Sequence, residues 1–168
     1  MADDDHSGTK PPPVVLRIKL RYDDVETFVD RFAANIGRAG LFTSTDQGGH
    51  WASARLEPLN PKGQTYCRDI REAPGDPKTI WVAAGANFQS DVGVLFRSKD
   101  GGVSWKRMDM GVKPKTTMFS VVFDDRQPKR MYCATSGGEV FASEDGGESW
   151  TERPLPAGAT QVYAMACA

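Results

Sequence analysis

The chain has 168 residues, 39% of them hydrophobic, which is enough for one domain with a real core, or for one domain plus a short appendage. Its 21 Lys and Arg and 22 Asp and Glu are spread along the chain and give a formal charge of −1, which excludes the basic footprint of a nucleic-acid binder. Three well-separated cysteines, with His6 and His50 remote from all of them, exclude a disulfide framework and a dedicated metal site; no cofactor is expected.

Residues 1–13, MADDDHSGTKPPP, are acidic and proline-rich where a secretory signal would be basic and then apolar, and no later run approaches membrane-spanning length. They read as a disordered tail on a soluble, cytoplasmic protein with no membrane partner. From Val14 the text VVLRIKLRY alternates strictly, with Leu16, Ile18, Leu20 and Tyr22 on one face and Arg17, Lys19 and Arg21 on the other, the pattern of a half-buried strand. DDVETFVDRF follows with Asp23 and Glu26 at capping-box spacing and Val25, Phe28, Val29 and Phe32 at helical spacing. Strand, short helix and NIGRAGLF together resemble divergent PilZ domains. That resemblance implies a cyclic-diguanylate site on Arg17 and Arg21, standing for the family's Arg-x-x-x-Arg, and on Asn35, Arg38 and Gly40, where Gly37 takes the place of the family's serine. Against it, Arg17 and Arg21 lie within the strand and stand about 13 Å apart, too far to grip one phosphate. A solvated basic edge explains them as well.

The strongest signal begins further on. STDQGGHW at 44–51, SKDGGVSW at 98–105 and SEDGGESW at 143–150 share S-x-D-x-G-x-x-W, at intervals of 54 and 45 residues, the length of one propeller blade. The flanks repeat in phase. DPKTIWVAA at 76–84 answers QPKRMYCAT at 127–135, and GLFTS, VLFRS and EVFAS each precede a box. QTYCRDI at 64–70, TMFSVVF at 117–123 and QVYAMAC at 161–167 align on an aromatic third residue. The unit is three strands, box, strand. FAANI at 32–36 then matches MYCAT as a second strand, which assigns 31–56 to the propeller and leaves 14–30 as the appended strand and helix.

Each box suits a tight connection between third and fourth strands. Ser44, Ser98 and Ser143, with Asp46, Asp100 and Asp145, are placed to bond the turn's own amides. Gly48, Gly102 and Gly147 supply positive φ. Trp51, Trp105 and Trp150 open the next strand and fold apolar area back on the blade. These residues resemble the Asp-box, or bacterial neuraminidase, repeats of sialidases and of sialidase-like propellers without known catalysis. The resemblance implies an all-β propeller over 31–168 whose boxes lie on the periphery, away from the central site.

A sialidase would imply three convergent arginines, a tyrosine with a glutamate partner, and an Arg-Ile-Pro segment. That segment is missing; Tyr66 and Tyr163 fall on innermost strands, and the arginines read as solvated. Asp69 and Glu72 are the available carboxylates for general glycoside hydrolysis. The leading expectation is therefore a noncatalytic binding scaffold for a protein or glycan partner, with a sialidase-like glycoside hydrolase and a PilZ-like sensor fused to a scaffold as the alternatives. Counting strands, 64–109 and 117–154 make complete blades, 31–56 lacks a first strand, and 160–167 supplies one. About three blades per chain fall short of a closed ring, so two copies are expected to pair into a six-bladed homodimer.

Overall fold

The structure, a computed structural model, describes residues 40–43 and 50–167. The tail, the PilZ-like strand and helix, the expected strand at 31–36 and the box positions Ser44, Asp46 and Gly48 lie outside the described residues.

What is described is all-β. A first sheet takes β3 (Tyr66–Ala73), β4 (Asp76–Gly85), β5 (Gly93–Ser98) and β6 (Lys106–Arg107) in consecutive antiparallel order. A second repeats it with β7 (Met118–Asp124), β8 (Gln127–Thr135), β9 (Val140–Ser143) and β10 (Thr151–Glu152). These are the two complete blades expected at 64–109 and 117–154. A pair, β1 (Phe42–Thr43) and β2 (Ala52–Ser53), supplies the third and fourth strands of the blade before them. Two-residue turns at 74–75 and 125–126 close the β3–β4 and β7–β8 hairpins. Pro77 and Pro128 stand near the exposed start of the second strand, where a missing N–H does least harm to the ladder.

Two packed layers hold the blades together. Trp81, Ala83 and Leu95 of the first blade meet Met131, Cys133 and Phe141 of the second in a cluster closed by Trp150. Val82, Ala84, Val94 and Phe96, on the opposite face of the first blade, pack with Leu41, Leu56 and Leu59. The alternation along β4 explains both layers, because IWVAA sends neighbouring side chains to opposite faces. Burying each large side chain contributes roughly 1.5–3 kcal/mol. Cys67 and Cys133 belong to this packing. Burial pushes the Cys67 thiol up to about 12 and Cys133 well above the usual range, so neither is a ready nucleophile.

Residues 160–167 are assigned to no strand and Tyr163 is 66% exposed; the 31–36 segment expected to pair with them lies outside the described residues. Two expectations need correction. The inner strands do not align on Tyr66 and Phe119. Both carry a bulge at the same place, between Cys67 and Asp69 and between Met118 and Ser120, so that Arg68 and Phe119 hold equivalent positions. Nor are all the arginines solvated. Arg97 is buried, its guanidinium 5.3 Å from the Trp81 ring and 2.6 Å from Glu148 of the next blade's box.

Candidate functional site

Antiparallel order sends successive connections to alternate ends of a blade. The boxes and the two-residue turns emerge at one end; the segments before β3, between β4 and β5, between β6 and β7 and between β8 and β9 emerge at the other.

At the first end the box chemistry is fully formed. Ser98 Oγ accepts the Gly102 amide at 2.8 Å and donates to Asp100 at 2.7 Å, while Asp100 accepts the Ser104 amide at 2.9 Å and the Ser104 hydroxyl at 2.5 Å. The Trp105 indole N–H donates to the Gly102 carbonyl at 3.0 Å. Ser143, Asp145, Gly147, Ser149 and Trp150 repeat every bond, with the Gly147 amide on Ser143 at 2.8 Å and the Trp150 indole on Gly147 at 3.2 Å. Gly102 and Gly147 have φ of +90° and +85°. The Ser104 hydroxyl above all, then its amide and the Ser98 hydroxyl, hold the Asp100 carboxyl down to about 2. The same set acting from Ser149 holds Asp145 lower still. Ser104 and Ser149 escaped the sequence motif, which left the position before the tryptophan open; two of the three boxes carry serine there and the first carries His50. Trp51 is half-buried ahead of β2. This end is structural.

The opposite end holds a different cluster. Phe88, 47% exposed on the β4–β5 connection, stands 6.2 Å from Tyr66 at an edge-on angle of 88° and 5.3 Å from Phe119. The Arg68 guanidinium covers the Phe119 ring at 4.8 Å. Phe88 and the half-buried Tyr66 form the accessible part of this cluster, while Phe119, 3% exposed, supports Phe88 and the Arg68 guanidinium from inside. The connection that carries Phe88 is pinned. Thr117 donates to the Asn87 carbonyl at 2.7 Å and accepts the Ser90 amide at 3.1 Å, Ser90 accepts the Ala86 amide at 3.1 Å, and the Asn60 amide group donates to the Ala86 carbonyl at 3.0 Å.

The remaining sequence candidates do not converge. Arg17, Arg21, Asn35 and Arg38 lie outside the described residues. Gly40 takes φ of +89° just ahead of β1, and a Cβ there would sit 3.7 Å from the Thr65 carbonyl, so in this region it acts as a turn glycine. Asp69 is buried and bonds the Val121 amide at 3.2 Å and the Ser120 hydroxyl at 3.3 Å across the blade interface; Glu72 is exposed. The two do not form a carboxylate pair facing a common space. Among the described residues Arg71, Arg97, Arg107 and Arg130 are each committed to different carboxylates, which leaves no trio of these to grip a sialic acid. No group of three His, Cys, Asp or Glu side chains among the described residues is placed to hold a metal.

Repeated four-stranded sheets, each with a serine–aspartate box between its third and fourth strands, define β-propeller blades of the Asp-box type. The Sortilin-Vps10 family, described as sortilin, neurotensin receptor 3, matches residues 93–167. The photosystem II assembly lipoprotein Ycf48 of Synechococcus sp. (strain CC9902) is 27% identical over 117 residues, 68% of this chain and 31% of that protein. An ancestral GH74 enzyme superposes with a TM-score of 0.56 at 23% identity, over 73% of this chain and 18% of the enzyme. The GH74 xyloglucanase from Xanthomonas campestris does so at 0.51 and 16%, over 67% and 17%. The chain therefore spans less than a third of the curated relative and less than a fifth of either enzyme. At these identities the two structures show the blade fold alone. No PilZ domain is among these matches.

Proposed function

We propose that this chain is a noncatalytic propeller-type scaffold that binds a protein partner at the end of its blades opposite the boxes. The observation that carries the reading is the exposed Phe88, held against Tyr66 and Phe119 by a hydrogen-bonded connection and flanked by Arg68. Aromatic and arginine side chains supply most of the binding energy of protein interfaces. The Ycf48 relative, whose name describes photosystem II assembly, supports a role in holding other proteins during assembly rather than in turning over a substrate. Asp69 supports the same reading, since its bonds to the next blade leave it unsuited to acid–base work.

Two measurements test the proposal. A photo-crosslinking amino acid at position 88, in the full chain in cells of its source organism, is expected to give discrete protein adducts, while the same group at position 103, in a box, gives none. The purified protein is expected not to hydrolyse xyloglucan oligosaccharides or sialosides. Turnover that survives purification to homogeneity, or adducts only from position 103, refutes it.

A further inference from the structure

Resting on that reading, the chemistry of the cluster narrows the partner. Arg68 occupies a bulge, the irregularity that re-aims a side chain out of the regular alternation. Its guanidinium lies on Phe119, and no carboxylate pairs with it among the described residues. The same imbalance extends over this end of the blades. At this end Arg55, Lys62, Arg68 and Lys113 are in no ion pair among the described residues; of the carboxylates there, Glu57 and Glu139 are engaged by Arg107 at 3.2 Å and Lys115 at 4.0 Å and Asp91 and Asp109 are in no ion pair, so unpaired cations outnumber unpaired carboxylates. The chain as a whole carries −1, so this face is more basic than the molecule that bears it. A guanidinium stacked on a ring keeps its edge free to take a carboxylate in a two-pronged hydrogen bond.

Beside that edge lies the apolar part of the surface. Phe88 is one of only a few large hydrophobic side chains exposed among the described residues, and the bonds from Thr117, Ser90 and Asn60 hold its loop rather than leaving it to collapse onto the sheet. Ordering such a loop on binding would cost free energy, and here that cost is already met in the free protein.

We infer that the Tyr66, Phe88, Phe119 and Arg68 cluster is a docking site for an acidic peptide segment of a partner protein, which lays an apolar side chain on Phe88 and sets a neighbouring carboxylate against the Arg68 guanidinium. A neutral glycan would stack on the exposed ring equally well but would gain nothing from the Arg68 cation.

The test uses the full chain and short fluorescent peptides with a central Leu or Phe flanked by Asp and Glu, each paired with a copy in which every acid is Lys, read by anisotropy. The acidic peptides are expected to bind and their lysine copies not to. Phe88→Ala is expected to weaken binding at least about tenfold. Arg68→Glu is expected to weaken the acidic peptides and to admit the lysine copies. Phe88→Ala should melt close to the parent, since Phe88 is 47% exposed, and Arg68→Glu is read by its reversed charge preference, which a loss of fold would not produce. Equal binding of acidic and basic peptides, no loss in Phe88→Ala, or displacement of the peptide by a neutral oligosaccharide overturns the inference. If crosslinks form at position 88 while the peptides show no charge preference, the scaffold reading stands and the acidic-segment assignment falls.

Discussion

Replacing Gly102 and Gly147 by alanine, one at a time, poses the same backbone problem in two different surroundings. Both glycines sit at the same box position with φ near +90°, where an L side chain is strained by roughly 1–3 kcal/mol. Their neighbours differ. A Cβ at Gly102 would meet Thr43 at 3.4 Å and Trp105 at 3.6 Å, ordinary contact, whereas a Cβ at Gly147 would come within 2.2 Å of the Trp81 ring. That ring cannot move away freely. It is 1% exposed, edge-on to Trp150 at 6.4 Å and covered by the Arg97 guanidinium at 5.3 Å. Overpacking of this kind adds typically 1–3 kcal/mol. Gly102→Ala should therefore cost about 1–3 kcal/mol and Gly147→Ala about 2–6 kcal/mol, the second including the clash. Urea unfolding followed by circular dichroism measures both, and a second variant isolates the cause. Trp81→Phe removes the atoms that the new methyl strikes, so Gly147→Ala combined with Trp81→Phe should be less destabilised than the two single changes added together, by at least about 1 kcal/mol. The same combination with Gly102→Ala should be additive. Equal losses at the two glycines, or additivity in both pairs, would refute the reasoning.

Asp100 is held down to about 2 in the folded chain against about 3.9 unfolded, so the stability it contributes is complete above pH 4 and lost as pH falls toward 2. Urea midpoints should drop across that window, and Asp100→Asn should flatten the drop; an unchanged slope counts against the box bonds. Asp69→Ala removes the acceptor of the buried Val121 amide and should cost about 1–3 kcal/mol, measured by denaturant midpoint, with Asp69→Asn milder. Glu148→Ala deprives the buried Arg97 of its partner; because Glu148 is itself 58% exposed, the loss should stay near about 1–2 kcal/mol, and Glu148→Asp should recover little of it. Two copies of the chain are expected to associate, with residues 161–167 of each gaining a strand edge. Sedimentation should then show a mass that rises with concentration and hydrogen exchange should slow at those amides, whereas a micromolar monomer with unprotected amides there refutes the pairing.

The blades were readable because their defining bonds are local. Ser98, Asp100 and Gly102 bond within five residues of one another, so the chemistry that folds the box is written contiguously, and the matching of 76–84 to 127–135 held because the two strands sit in equivalent registers. The inner strands were misaligned for an equally physical reason. Aromatic residues attract alignment, but pairing Tyr66 with Phe119 lies two residues out of register, because the bulge the two strands share makes Arg68 the counterpart of Phe119. Arg97 reads as a surface cation in sequence because its partner, Glu148, lies 51 residues away, and nothing around RSKD foretells a tryptophan face and a carboxylate beside it.

The aromatic site was hidden by the same repetition that revealed the fold. Tyr66, Phe88 and Phe119 come from two blades and one connection, and no window of sequence contains more than one of them with its neighbours. A different comparison brings them out. Between second and third strands the first blade spends residues 86–92, ANFQSDV, where the second spends only 136–139, SGGE. The longer loop carries Phe88, and Thr117 and Asn60 fix it in place. At the equivalent bulge the first blade carries Arg68 and the second Phe119. Positions that repeat in every blade must satisfy every blade, so they can only serve folding. A single binding surface on a repeating scaffold needs residues that one blade has and its neighbour lacks. The departures from the repeat, rather than the repeat itself, are therefore where a function on this fold has to be sought.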